Sequence, residues 1–226
     1  MRLTVLTTLL VSGVAPAAVA QPASRFELGP VLRFDKVFIQ GDASGGTVVA
    51  GVVTSFRISK TYGLEAELTQ ASNRIERSYQ GWFISYAQGP NATREEIERL
   101  APIARRSLGY TPGVGWSAAF VARGHSGSRV AVGARVGFAA RKYVETSSYT
   151  VLSVPEGVDP GRVARDFRDS SSSRTRGGLL FGFDVTVAAT DRLSVAPEVR
   201  FVYGGPARIG NKHREAGLGV RAVWQF

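Results

Sequence analysis

The chain has 226 residues, 44% of them hydrophobic, with 26 glycines and no cysteine. That length suits a single domain, and the lack of cysteine excludes disulfides, a thiolate metal site and a lipid-modified cysteine. Lys and Arg number 28 against 18 Asp and Glu, a net charge of +10, which points to an anionic partner, an anionic lipid surface or a solvated basic face.

Residues 1–20 read as a secretory signal. Arg2 supplies the charged start, Leu3 to Val11 the apolar run, and Ala18-Val19-Ala20 the small-residue cleavage site. The mature chain is then expected to be one domain, residues 21–226. Beyond the signal no apolar run reaches 18 residues, so no transmembrane helix is expected.

The rest alternates with a period of two, the mark of β-strands with two unlike faces. In Ser24 to Asp35, Phe26, Leu28, Pro30, Leu32 and Phe34 share one face, and Arg25, Glu27, Gly29, Val31 and Arg33 the other. Pro30 has no N–H to donate and predicts a bulge or weak pairing. Lys36 to Gly46 reads as a loop. Thr47 to Ser59 alternates again, and after a turn at Lys60 to Gly63 the pattern resumes with Leu64, Ala66 and Leu68 against Glu65, Glu67 and Thr69.

Gln70 to Leu108 reads as a long excursion. Thr93 and Glu96 have capping-box spacing, which predicts a helix to about Arg106, kinked or shortened by Pro102. Strands return at Tyr110 to Arg123 and Arg129 to Tyr143, joined by a turn at Gly124 to Ser128. A second excursion, Glu145 to Arg176, holds an Asp159-Pro160 helix start leading to Phe167 and a mobile serine run, Ser170 to Ser173. Gly178 to Ala189 and Arg192 to Tyr203 form a hairpin around Thr190-Asp191. Gly204 to Glu215 is a loop, and Ala216 to Phe226 closes the chain with Leu218, Val220, Ala222, Trp224 and Phe226 on one face.

The count is eight strands, with short and long connections in alternation. An up-and-down barrel gathers its short turns at one end and its long loops at the other, and membrane barrels show this asymmetry. The apolar face is rich in Val, Leu, Phe and Trp. The other carries Glu27, Glu65, Glu67, Asp184 and Glu198 together with Arg25, Arg33, Arg57, Arg123, Arg135, Arg141, Arg200 and Arg221. Eight strands leave an interior just wide enough for side chains. Charges packed there must pair, because an unpaired buried ion is costly. A soluble ligand-binding barrel would have the reverse polarity.

The signal, the eight alternating segments, the loop asymmetry and the terminal Trp224-x-Phe226 resemble the small outer-membrane β-barrels of the OmpA/OmpX type. That resemblance implies an all-β, eight-stranded antiparallel transmembrane barrel in the bacterial outer membrane, with short periplasmic turns and long, partly helical outer loops. It implies a monomer in contact with outer-membrane lipids and lipopolysaccharide, with Trp224 and Phe226 as the C-terminal signal read by the barrel assembly machinery. Roles in such barrels include membrane integrity, adhesion and narrow conduction, and no peptidoglycan-binding domain is expected here.

The candidate site is the interior ion set Glu65, Glu67, Arg135, Asp184, Glu198, Arg200 and Arg221, read as a structural network or a gate. Gly124-His125-Ser126-Gly127 falls short of a nucleophile elbow, since its fifth residue is Ser128 and it sits in a turn. His125 and His213 are placed at opposite barrel ends, so no shared metal is expected, and neither is a cofactor. A lipid A-modifying enzyme would use His213 at the outer rim, but no serine and carboxylate stand beside it in sequence. Asn91-Ala92-Thr93 matches a glycosylation sequon and is read as the start of the loop helix. The loop arginines, among them Arg94, Arg106, Arg165 and Arg174, suit lipopolysaccharide phosphates. They lack the interleaved aromatics that stack bases, so no nucleic acid is expected.

Overall fold

The computed structural model describes residues 25–39, 43–82, 93–125, 129–204 and 213–226. The signal segment, the end of the elbow-like turn and the start of the sequon lie outside them. The strands are β1 (Phe26–Ile39), β2 (Ala43–Arg57), β3 (Tyr62–Ala71), β4 (Ile75–Trp82), β5 (Ile103–His125), β6 (Val130–Ser153), β7 (Ser170–Ala188), β8 (Leu193–Tyr203) and β9 (His213–Gln225). Two short helices, α1 (Arg94–Leu100) and α2 (Pro160–Asp166), lie between strands. Among the described residues no helix is long and apolar enough to cross a membrane.

Every strand pairs antiparallel with its neighbours in the order β3-β2-β1-β9-β8-β7-β6-β5-β4, and β3 also pairs with β5, which closes the ring. β3 and β4 are two lengths of one barrel strand. β3 pairs with Val114–Ala122 of β5 and β4 with Ile103–Tyr110. The break is at residues 72–74, where Asn73 adopts φ 71°, a left-handed conformation that asparagine tolerates. The barrel is therefore eight-stranded.

The alternation sets the faces as expected. Leu218 is 65% and Phe138 62% exposed on the outside, whereas Arg33 and Glu198 inside are 2% and 4% exposed. Arg25 is the exception. It precedes β1 and is exposed rather than interior. The weak pairing expected at Pro30 lies on one side only: the ladder to β2 is continuous, while the ladder to β9 skips Gly29 and Pro30 without changing register.

The expected loops are mostly strand. β1 and β2 stay paired to Ile39↔Ala43, so most of the segment from Lys36 to Gly46 is a hairpin arm. α1 stops at Leu100 instead of near Arg106. Its capping box is present, with Glu96 N–H donating to Thr93 Oγ1. Pro102 ends it by forcing the preceding Ala101 to extended backbone (φ −95°, ψ 122°), and β5 begins at once. The serine run is no mobile piece either. Ser170 to Ser173 pair with Ser147 to Val144 of β6. α2 forms where Asp159-Pro160 places it, with Asp159 accepting from Gly161 and Arg162 N–H. β5 and β6 thus reach 23 and 24 residues, about twice the roughly 10 that cross a bilayer.

Candidate functional site

The lumen is filled in layers. Nearest the short turns, Glu27 accepts from Ser55 Oγ (2.7 Å) and Arg123 (3.1 Å) and pairs with the half-buried Arg57. The central layer follows, and it contains all seven residues of the candidate ion set. Arg135 lies 2.8 Å from Glu65, 2.6 Å from Asp184 and 2.8 Å from Glu198. Arg221 pairs with Glu65 and Asp184 and approaches Glu198 at 3.6 Å. Arg200 lies 2.8 Å from Glu67. Arg33 joins the two halves, with Glu67 at 3.0 Å and Glu198 at 3.1 Å.

Small residues make room for these side chains. A Cβ at Gly217 would lie 2.1 Å from Asp35 Oδ1, and one at Gly182 2.8 Å from Arg135 Cγ. Two inward positions beside the stems of Arg33 and Arg135 thus carry no side chain.

Toward the long loops the lumen holds groups that the sequence reading left out. Asp35 accepts from Arg33 at 2.8 Å and lies 3.8 Å from Arg141. Glu215 accepts from Tyr143 (2.9 Å), lies 3.0 Å from His213 and 3.6 Å from Arg141. Above them Val37, Ile39, Ala43, Ile75, Tyr110 and Tyr143 form a buried apolar plug, with Leu108 packed on it. All fall in segments read as loops or at the limits of the expected strands. The signal that was present is unbroken parity: Asp35, Val37 and Ile39 continue the inward row of Glu27 and Arg33. Burial, and after it the Glu145 carboxylate, push the Tyr110 hydroxyl above its ordinary value, so it stays protonated and available as a donor.

His213 points into the lumen with Glu215 as its partner and Tyr143 edge-on at 5.5 Å. It does not sit on the outer face, where acyl chains would lie. His213 and His125 begin and end strands at opposite ends of the barrel. Among the described residues no cluster of three or more His, Cys, Asp or Glu could hold a metal. Trp224 and Phe226 are exposed on the outer face near the short turns, where Phe226 N–H donates to Phe26 O at 3.1 Å and its ring meets Phe26 at 6.2 Å.

No family model matches the chain, and no curated protein matches its sequence. Solved structures do. Neisserial surface protein A is 16% identical with a TM-score of 0.45, covering 89% of this chain and 97% of its own. The Ail attachment invasion locus protein of Yersinia pestis, in complex with a heparin analogue, is 8% identical with a TM-score of 0.43 (90% and 97% covered). OprG of Pseudomonas aeruginosa is 10% identical with a TM-score of 0.43 (90% and 96% covered). This chain's fold, seen in its own register and in the polarity of its faces, is that of the small outer-membrane β-barrels.

Proposed function

We propose that this chain spans the bacterial outer membrane as a closed β-barrel with a structural and surface-interaction role, neither conducting nor catalytic. One observation carries the reading: the barrel is inside out, with its belt of exposed Val, Leu, Phe and Trp outside and its paired charges within. In water such a belt is a large exposed apolar surface. In hydrocarbon it is solvated, and a closed ring leaves no backbone edge unsatisfied. The short turns then face the periplasm, and the extended β4 to β7 stand outside the cell. The loop arginines meet lipopolysaccharide phosphates, and Trp224 and Phe226 serve the assembly machinery. The barrel acts as a monomer.

The interior network is structural on this reading. A narrow pore needs a continuous wet path, and here the ion layer is capped by the apolar plug. A lipid A-modifying enzyme remains the rival, and His213 turned into the lumen weighs against it. The test is refolding into phospholipid vesicles, followed by planar-bilayer recording. The expected result is a species whose gel mobility changes on boiling and which conducts no ions. Discrete openings would overturn the closed-lumen reading, and unchanged mobility with partition into the soluble fraction would overturn the membrane barrel.

A further inference from the structure

The four strands that outgrow the belt build a site of their own. Residues paired across a sheet share a face, so the register traces the lumen-side rows outward past the plug. One row is Ile75–Tyr110–Glu145–Ser172, the next Arg77–Leu108–Ser147–Ser170, and the next Tyr79–Arg106–Tyr149. Against these rows lies an open cleft of about 610 Å³, within the range of roughly 300–1,000 Å³ that holds small ligands. Its floor is the upper side of the plug.

The cleft is basic and pre-arranged. Arg106 Nε donates to Ser147 Oγ and Nη1 to Tyr79 OH, both at 3.0 Å, and its guanidinium lies 5.4 Å from the centre of the Tyr149 ring. These partners are neutral. They hold the fork in place without cancelling its charge. Across the cleft Arg174 approaches Glu145 at 3.6 Å, and that carboxylate is already taken by Arg176 at 2.6 Å. The lining therefore sets Arg106 and Arg174 beside one carboxylate, which Arg174 shares with Arg176. Hydroxyls of Ser147, Ser172 and Tyr79 share the lining with Arg106 and Arg174, and each both donates and accepts. All of these groups are on strands, which hold a site more rigidly than loops do.

A planar guanidinium fork matches an oxyanion, while a row of hydroxyls beside an exposed tyrosine ring matches a polyol. We propose that this cleft binds a phosphorylated saccharide, with its phosphate on Arg106 and Arg174 and its hydroxyls on Ser147, Ser172 and Tyr79. The proposal rests on the barrel reading above, because it needs β4 to β7 to stand clear of the bilayer. The same chemistry has two sources: the phosphorylated core of neighbouring lipopolysaccharide, and a soluble sugar phosphate.

The test is titration calorimetry on the full chain refolded in detergent micelles, its folded state first established by the gel shift on boiling. The probes are glucose 6-phosphate, glucose, inorganic phosphate and deacylated lipopolysaccharide core. Saturable binding of glucose 6-phosphate or of the core is expected, with glucose and phosphate each at least roughly tenfold weaker than the ligand that binds. Arg106→Gln weakens that binding by roughly tenfold to a hundredfold, the range for one charge-assisted hydrogen bond. Arg105→Gln, on the opposite face of β5, leaves it unchanged. The tighter of the two ligands identifies the source. Phosphate binding as tightly as either saccharide, equal effects of the two variants, or no saturable binding by a folded barrel would each overturn the proposal and leave the barrel intact. Failure of the gel shift would strike the barrel reading instead.

Discussion

Replacing Arg135 by methionine removes one cation from the centre of the lumen and keeps most of the volume. Arg135 makes three charge-assisted contacts of 2.6 to 2.8 Å, to Glu65, Asp184 and Glu198. At about 1.5–3 kcal/mol each, three such bonds set a ceiling of about 4.5–9 kcal/mol. The ceiling is not reached, because Arg221 lies against the same three carboxylates, with Asp184 at 2.7 Å and Glu198 at 3.6 Å. No acid loses its last cation. The expected loss is that of breaking one buried ion pair, about 3–5 kcal/mol. The assay is urea unfolding of protein refolded in phospholipid vesicles, followed by tryptophan fluorescence. Adding Asp184→Asn to the Arg135→Met protein removes one of the excess acids and is expected to restore about 1–2 kcal/mol. A loss under about 1 kcal/mol, or no recovery in the double variant, would show that the network does not hold the barrel together.

Three further outcomes are expected. Gly217→Val forces a side chain onto Asp35 and Arg33, whose Cδ would lie 2.9 Å from the new Cβ. It should cost about 1–3 kcal/mol in the same urea assay. Phe226→Ala removes a ring that is 71% exposed, so unfolding in vesicles should shift by less than about 1 kcal/mol while the amount of barrel in cell outer membranes falls. Equal amounts in cells would remove its role as an assembly signal. His213→Ala leaves Glu215 with Tyr143 and Arg141, costs about 1–2 kcal/mol, and leaves the lipid A acylation pattern unchanged by mass spectrometry. An altered pattern would establish the enzyme.

The belt-spanning barrel was legible because a bilayer imposes contrast. Val132, Val136 and Phe138 alternate with Gly133, Arg135 and Gly137, and no other element reads that way. The same contrast placed Glu65, Glu67, Arg135, Asp184, Glu198, Arg200 and Arg221 inside, where the structure gathers them into one layer. Beyond the hydrocarbon the contrast ends. Ser170 to Arg176 is polar on both faces, and Glu145 to Tyr149 nearly so, yet both are strand because Ser170 to Arg176 pairs with Ser147 to Arg141 of β6 and Glu145 to Tyr149 pairs with β5. Strand length there is a property of the partner, which no local pattern carries. The break at residues 72–74 escaped for a related reason: Ile75 to Trp82 reads as part of the excursion that starts at Gln70, and only β5 alongside shows that β3 and β4 share a track. The cleft escaped with them, since Arg106 and Ser147 are neighbours only in that register.

The ion layer also explains why the parts of this barrel depend on its closure. In the ring order, β3 and β8 stand diametrically opposite, four steps apart either way round. Glu67 on β3 nevertheless pairs with Arg200 on β8, Glu65 on β3 with Arg221 on β9, and Arg33 on β1 with Glu198 on β8. Arg135 also meets Asp184 on the adjacent β7, and Arg221 meets Glu198 on the adjacent β8, but each of the four central arginines has at least one carboxylate two or more strands away. A hairpin or half-sheet of this sequence would break the long-range pairs and leave Arg200 without its acid, and in a low-dielectric interior an unpaired ion is far more costly than a lost contact. An apolar core would behave differently, because leucines satisfy one another in any collapsed arrangement. Here most apolar residues outside the plug face lipid, and a slip of two residues would leave them facing it, so the choice among such registers falls to four arginines and the acids facing them. A slip of one residue would turn every one of those side chains into the hydrocarbon.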